Sequence, residues 1–352
     1  MIPGINRLTI LLMAVMLNAC DKPGLVLQQK PYRFQVPAHF PEPVFDTENP
    51  MSQAGVQLGR MLFYDKRLSA NNQVSCASCH DPKLALSDGV KLSNAGVSAT
   101  ALHRHSPALF NLAWANNGLF WDGGATNLES QAFAPLTAQD EMAQDLDQLV
   151  IELNAVPAYV SGFQQAFDEP ANAQNVAKAL AQFERSLVSA GSKYDRYLLK
   201  IKGETLTDDE LKGRELVRQK CQGCHVGELF TDQSFHNNGI DSDFSNSEHE
   251  GIHQGRYRIT YDPADLGKFK TPSLRNVSLT APYMHDGRFA TLEEVIEHYS
   301  GGIKGSATLS SRIPEGGFHF SKQEKKQMIA FLHTLTDDSF IENPDHGKPS
   351  DH

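Results

Sequence analysis

A mainly α-helical fold in two domains is what this 352-residue sequence predicts, and three observations carry it. Apolar side chains recur at helical spacing through most of the chain, capping signatures precede several of those stripes, and the pentapeptide Cys-x-x-Cys-His occurs once in each half. Runs of alternating polarity, the mark of strands, are few.

From the N-terminus, Arg7 precedes an apolar run from Leu8 to Leu17, too short to cross a bilayer as a helix but suited to a signal peptide. It ends in Leu17-Asn18-Ala19-Cys20, which resembles a bacterial lipobox, so cleavage before Cys20 would leave that cysteine carrying lipid. Ordinary secretion with an incidental cysteine is the alternative. Both place the mature chain on the periplasmic side of the cell envelope, and Asp21 resembles an inner-membrane retention signal. Residues 1–20 are therefore read as a lipoprotein signal peptide, and 21–45, rich in Pro and Gln and without periodicity, as a tether. Val56, Leu58, Met61, Leu62 and Phe63 predict an amphipathic helix, and Val176, Leu180, Phe183 and Leu187 another. Capping boxes at Thr207 to Glu210, Thr291 to Glu294 and Ser321 to Glu324 open three more, the last containing Met328, Ile329, Phe331 and Leu332. The domains are placed at 46–200 and 201–340, with the boundary near 195–205 and a polar, frayed tail at 341–352.

The pentapeptides are Cys76-Ala77-Ser78-Cys79-His80 and Cys221-Gln222-Gly223-Cys224-His225. This pattern reads as covalent attachment of c-type haem: two thiols at this spacing reach one edge of a porphyrin as thioethers, and the adjoining imidazole turns under the iron. A zinc site or a redox dithiol is the competing reading, but four thiolates on zinc would leave both His residues without a role. Disulfides two residues apart are poorly suited to stapling a large fold. The expected architecture is two cytochrome-c-like helical domains, each holding one covalent haem. A net charge of −10 argues against nucleic-acid binding, and no later stretch is apolar for long enough to be a membrane helix.

Two further segments carry a specific likeness. Phe120-Trp121-Asp122-Gly123 with Leu128-Glu129-Ser130-Gln131 and Pro135, and Thr271-Pro272-Ser273-Leu274-Arg275-Asn276 with Leu279 through Gly287, are similar to the bacterial di-haem cytochrome c peroxidase and MauG superfamily. The likeness runs from about residue 50 to 335. It implies an enzyme that reacts with hydrogen peroxide at the N-terminal haem and exchanges oxidising equivalents with a partner protein through the C-terminal one.

The resemblance also implies roles residue by residue. Peroxidases place a Met as second axial ligand fourteen residues after the His of His-Asp-Gly; here that position is Tyr299, as in the MauG- or MbnH-like branch. An oxygen ligand favours oxidised iron where a thioether favours reduced iron. Leu292, Val295, Ile296 and Tyr299 share one helical face, so core packing is the plain alternative. Met284 and His298 are fallback ligands, and His285 is expected to pack or support. Glu141 matches the distal acid that moves a proton between peroxide oxygens, Gln131 and Pro135 shape its pocket, and Trp121 stands where an indole relays charge between haems. Trp114 is expected to be structural. His103 and His105 are offset from the position where peroxidases close the resting site, so neither is expected as a stable ligand. Calcium between the domains would take backbone oxygens of Thr280 and Pro282 and the side chain of Asn111. The partner is a small cytochrome, a cupredoxin, or a protein oxidised on a Trp; a non-catalytic electron carrier is the third reading.

Overall fold

The computed structural model describes residues 30–45 and 47–350. The signal peptide, Cys20 and the first part of the proposed tether, residues 21–29, fall outside them. Helix α1 (Gln53–Tyr64) starts where the Ser52 side chain accepts the Gly55 N–H, and it buries Val56, Leu58, Leu62 and Phe63. The first domain adds α2 (Leu128–Thr137), α3 (Leu146–Asn154), α4 (Pro157–Phe167) and α5 (Ala173–Ser186). Then come α6 (Lys193–Leu198), α7 (Asp208–Lys220), the short turns α8 (Glu248–Gly251) and α9 (Tyr257–Thr260), α10 (Leu292–Gly301), α11 (Lys322–His333) and α12 (Asp338–Ile341). The boxes at Thr207, Thr291 and Ser321 all form as read, each hydroxyl accepting an N–H from the Glu three residues on. Strand structure among the described residues is one antiparallel pair of two-residue strands, Phe235–His236 against Phe269–Lys270.

Each domain crosses its first and last long helices through a glycine. A Cβ on Gly59 would lie 1.9 Å from the Ala179 carbonyl oxygen, where α1 meets α5, and one on Gly213 would lie 1.8 Å from that of Gln327, where α7 meets α11. The first core gathers Leu58, Leu62, Phe63, Tyr159, Phe163 and Phe183; the second gathers Tyr194, Val217, Phe230, Ile296, Phe331 and Leu332. Tyr194 belongs to that second core, so the chain has crossed over by α6.

Two segments read as loose are packed. Residues 30–45 form a strap rather than a free tether: Tyr32 N–H donates to Met51 O, Pro41 O accepts the Trp114 indole N–H at 2.7 Å, and Phe40 packs edge-on to Trp114. His39 Nε2 lies 2.8 Å from Asp195, while the Arg275 guanidinium covers the Phe40 ring. Aromatic burial holds what Pro-rich composition left open. The expected frayed tail returns to α1 instead, where Arg60 Nε donates to Gly347 O at 2.8 Å and Tyr64 Oη to His346 O at 2.6 Å, over a buried Phe340.

Arg275 and Asp195 of α6 form a two-pronged pair at 2.7 and 2.8 Å with both side chains at most 1% exposed. Asn276, Ser189 and Asp337 complete the joint: Asn276 Nδ2 donates to Ser189 Oγ, and Ser189 Oγ and Gly191 N–H donate to Asp337.

Candidate haem sites

Both pentapeptides end on a histidine whose ring is fixed by a backbone oxygen. His80 Nδ1 lies 2.8 Å from Leu86 O, and His225 Nδ1 lies 3.0 Å from Phe230 O. A carbonyl can only accept, so Nδ1 carries the proton in each ring and Nε2 keeps its lone pair for a metal. Burial holds both imidazoles below their ordinary range, in the neutral form that ligates. All four cysteines of the pentapeptides are free thiols. Burial pushes Cys221 up to about 12 and Cys76 higher still, so these are thiols held in apolar surroundings rather than exposed thiolates.

The second pentapeptide opens on a cavity of about 320 Å³ lined by Cys221, Cys224, His225, Met284 and Tyr299. Tyr299 comes from α10 with Val295 and Ile296, as the helical stripe predicts. Burial pushes its phenol up to about 12, partly offset by a hydrogen bond from Asn238 Nδ2 at 3.3 Å. The same amide reaches Met284 Sδ at 3.4 Å. Asn238 therefore positions both candidate ligands, and nothing in its local sequence marks it for that role. His298 does not line the cavity; its Nε2 is 3.1 Å from Asn238 O. His285 lies flat on Phe269, ring centroids 3.6 Å apart, and burial pushes it down to about 3, so it packs as a neutral ring.

Trp121 and Gln131 reach the same cavity from the first domain. The Trp121 indole donates to His105 O at 2.8 Å and its carbonyl accepts Lys270 N–H at 2.7 Å, so it is tied to both domains. Asp122 beside it pairs with Arg104 and Arg258 at 2.7 and 3.0 Å, and these guanidiniums hold its carboxyl below the usual range in spite of burial. Gln131 Oε1 is buried without a hydrogen-bond partner, an unmet acceptor pointing to a bound group. Pro135, inside α2, has no N–H to give the Gln131 carbonyl.

At the first pentapeptide, Glu141 sits in a turn clasped by Val97, whose N–H donates to Glu141 O. Burial first, and the Asp140 charge second, push Glu141 up to about 7. Its charge acts on both Cys76 and Cys79, so it lies near the first pentapeptide. Glu184 also acts on Cys76 and is itself pushed up to about 8 by burial, a second neutral acid that sequence reading passed over because α5 shows it only as one polar position. His105 is spent elsewhere, its Nδ1 2.9 Å from Val90 O and Nε2 3.3 Å from Ser87 Oγ. His103 stacks on His249. Trp114 is buried under the strap, the structural place expected for it.

The donor set thus fits two c-type haems: free thiols in pairs, an imidazole with Nε2 available beside each pair, and apolar linings. Thr280 and Pro282 border the large cavity, but both ends of the Asn111 amide close on Ser189, Oδ1 taking its N–H at 2.8 Å and Nδ2 giving to its carbonyl at 2.9 Å. Asn111 thus acts as a clasp between loops.

Comparison with known proteins agrees with this geometry. A family model described as di-haem cytochrome c peroxidase matches residues 53–204. The chain is 39% identical over 307 residues to methylamine utilization protein MauG of Methylorubrum extorquens, spanning 86% of this chain and 83% of that one. It is 34% identical over 284 residues to cytochrome c551 peroxidase of Nitrosomonas europaea, covering 80% of each. Among solved structures, a MauG-like protein associated with microbial copper homeostasis aligns with a TM-score of 0.82 at 36% identity, over 90% of this chain and 99% of the other.

Proposed function

Because the chain belongs to the di-haem cytochrome c peroxidase and MauG family, oxidoreductases acting on peroxide, we propose that it is an exported, lipid-anchored enzyme of the MauG-like kind that oxidises a Trp or similar residue on a partner protein. When bound, its two c-type haems supply the redox chemistry and store the oxidising equivalents. His80 would hold the first through Nε2, and neither His105, engaged by Val90 and Ser87, nor His103, stacked on His249, competes with peroxide for it. Glu141, poised near neutrality, accepts a proton from the near peroxide oxygen and returns it to the departing one. Gln131, with its open Oε1, lines the large cavity beside Trp121, where a bound group would meet it. Trp121, tied to both domains, would relay charge between the two haems. His225 and Tyr299 would hold the second.

The observation that carries the reading is Tyr299 at the cavity wall with its hydroxyl held by Asn238. An oxygen ligand stabilises oxidised iron, which is what a long-lived oxidised pair requires. One observation favours the alternative, a cytochrome-c peroxidase removing peroxide with electrons from a small cytochrome or cupredoxin: Met284 lines the same cavity and shares Asn238, so thioether ligation is within reach. Peroxide added to the diferric protein separates them. A long-lived near-infrared band is expected, with Tyr299→Met raising the second haem's potential; a requirement for prior one-electron reduction, or an unmoved potential in the variant, favours the peroxidase reading.

A further inference from the structure

The segment Thr271-Pro272-Ser273-Leu274-Arg275 lies along the loop that follows the second pentapeptide, and hydrogen bonds join the two in order. Thr231 Oγ1 donates to Thr271 O at 2.7 Å, Ser273 Oγ donates to Leu229 O at 2.7 Å, and Arg275 Nε donates to Glu228 O at 2.6 Å. The segment advances as the loop steps back, so one is laid antiparallel on the other. Between the bonded residues sits Phe230, whose carbonyl fixes His225 Nδ1 at 3.0 Å. The Pro272 carbonyl is close enough to act on the same ring.

Both side-chain donors are themselves aimed. The Arg275 side chain is 0% exposed, and its two terminal nitrogens close on the Asp195 carboxylate at 2.8 and 2.7 Å, so the rigid fork leaves Nε–H directed at Glu228 O. Asp195 is held in turn by the Ser192 N–H and hydroxyl and by His39 of the strap. Rings of Phe40 and Phe230 flank the guanidinium, with centroids 4.5 and 5.8 Å from it. The Ser273 hydroxyl oxygen accepts the Arg275 N–H at 3.1 Å, which turns its own proton toward Leu229 O. At the first pentapeptide the corresponding loop closes on itself: Asp81 N–H donates to Ser87 O at 2.9 Å and Leu86 N–H to Asp81 O at 2.8 Å, with Leu86 O on His80.

We infer that Arg275 and Ser273 are positioning residues for the second haem: by fixing the carbonyls of Glu228 and Leu229 they hold Phe230 O on His225 Nδ1 and so set how strongly that imidazole donates to iron. The inference rests on the reading that His225 holds the second haem, and it stands whether Tyr299 or Met284 is the ligand opposite. A firm acceptor at Nδ1 makes Nε2 the more basic ligand, which favours oxidised iron. Loosening the loop therefore raises the potential of the second haem and leaves that of the first where it was.

The test is a redox titration of the di-haem protein, followed by absorbance, with electron paramagnetic resonance of the ferric form. Ser273→Ala removes the donor to Leu229 O without a change of charge; the second haem's potential should rise and its g-values should move, at unchanged haem content. Ser273→Thr keeps the hydroxyl and should restore both. Arg275→Lys keeps the charge and loses the fork, so the rise should be larger, about tenfold in the one-electron equilibrium or about 59 mV. If that variant does not fold, the Ser273 pair decides alone. A native potential and native g-values for the second haem in Ser273→Ala overturn the proposal, and so does an equal shift of both haems, which marks general loosening. Tyr299→Met acts on the opposite ligand, so its potential can fail to move while these variants respond, and the two readings fall separately.

Discussion

Replacing Glu141 by Gln tests the acid–base step where the structure gives it a number. Burial and the adjacent Asp140 hold the carboxyl near 7. At pH 6 roughly a tenth of the molecules then carry the base form and at pH 8 roughly nine-tenths, whereas an ordinary Glu would be ionised throughout. The base form is the one that takes the peroxide proton, so the second-order rate constant should rise about tenfold between those two values. Stopped-flow absorbance at the haem Soret band reads it. In Glu141→Gln the profile should be flat and about 10²- to 10⁴-fold lower, at unchanged haem content. Asp140→Asn removes the second cause of the shift, and its step should move to lower pH with the same plateau. A Glu141→Gln protein that keeps both the native rate and the native step would refute the assignment.

Other perturbations follow from the same contacts. Asn238→Ala removes the donor to Tyr299, which strengthens a phenolate as a ligand to oxidised iron; redox titration should show the second haem's potential falling, and no change would mean the bond is not made in the haem-loaded protein. Asp195→Asn leaves Arg275, 0% exposed at its side chain, without its charge partner, and should lower stability by about 3–5 kcal/mol in denaturant titration; a loss under about 1 kcal/mol would mean the pair is not closed in solution. Gly213→Ala puts a methyl against the Gln327 carbonyl, so α7 and α11 must part, at about 1–3 kcal/mol; an unchanged midpoint would refute the close crossing.

Much of this protein was written locally. The haem positions were legible because two thiols and an imidazole must lie within five consecutive residues to serve one porphyrin, and the helix starts at Thr207, Thr291 and Ser321 were legible because a capping box closes over three residues. Tyr299 could be put on an inward stripe by period alone, and the resemblance supplied its proposed role. What the chain could not announce is whatever depends on residues far apart in sequence. Asn238 meets Tyr299 across 61 positions and Arg275 meets Asp195 across 80. The strap over Trp114 and the tail docked on α1 likewise come from polar, Pro-rich or short segments whose own patterns have no period; they are ordered by the aromatic surface and carbonyl acceptors that other parts of the chain present. The stacked pair of His103 and His249 belongs to this second class too. Local chemistry chose the cofactor and the helices, while the environment of each acid, each ligand and each seam was decided only when distant segments packed, because burial and charge act through space and not along the chain.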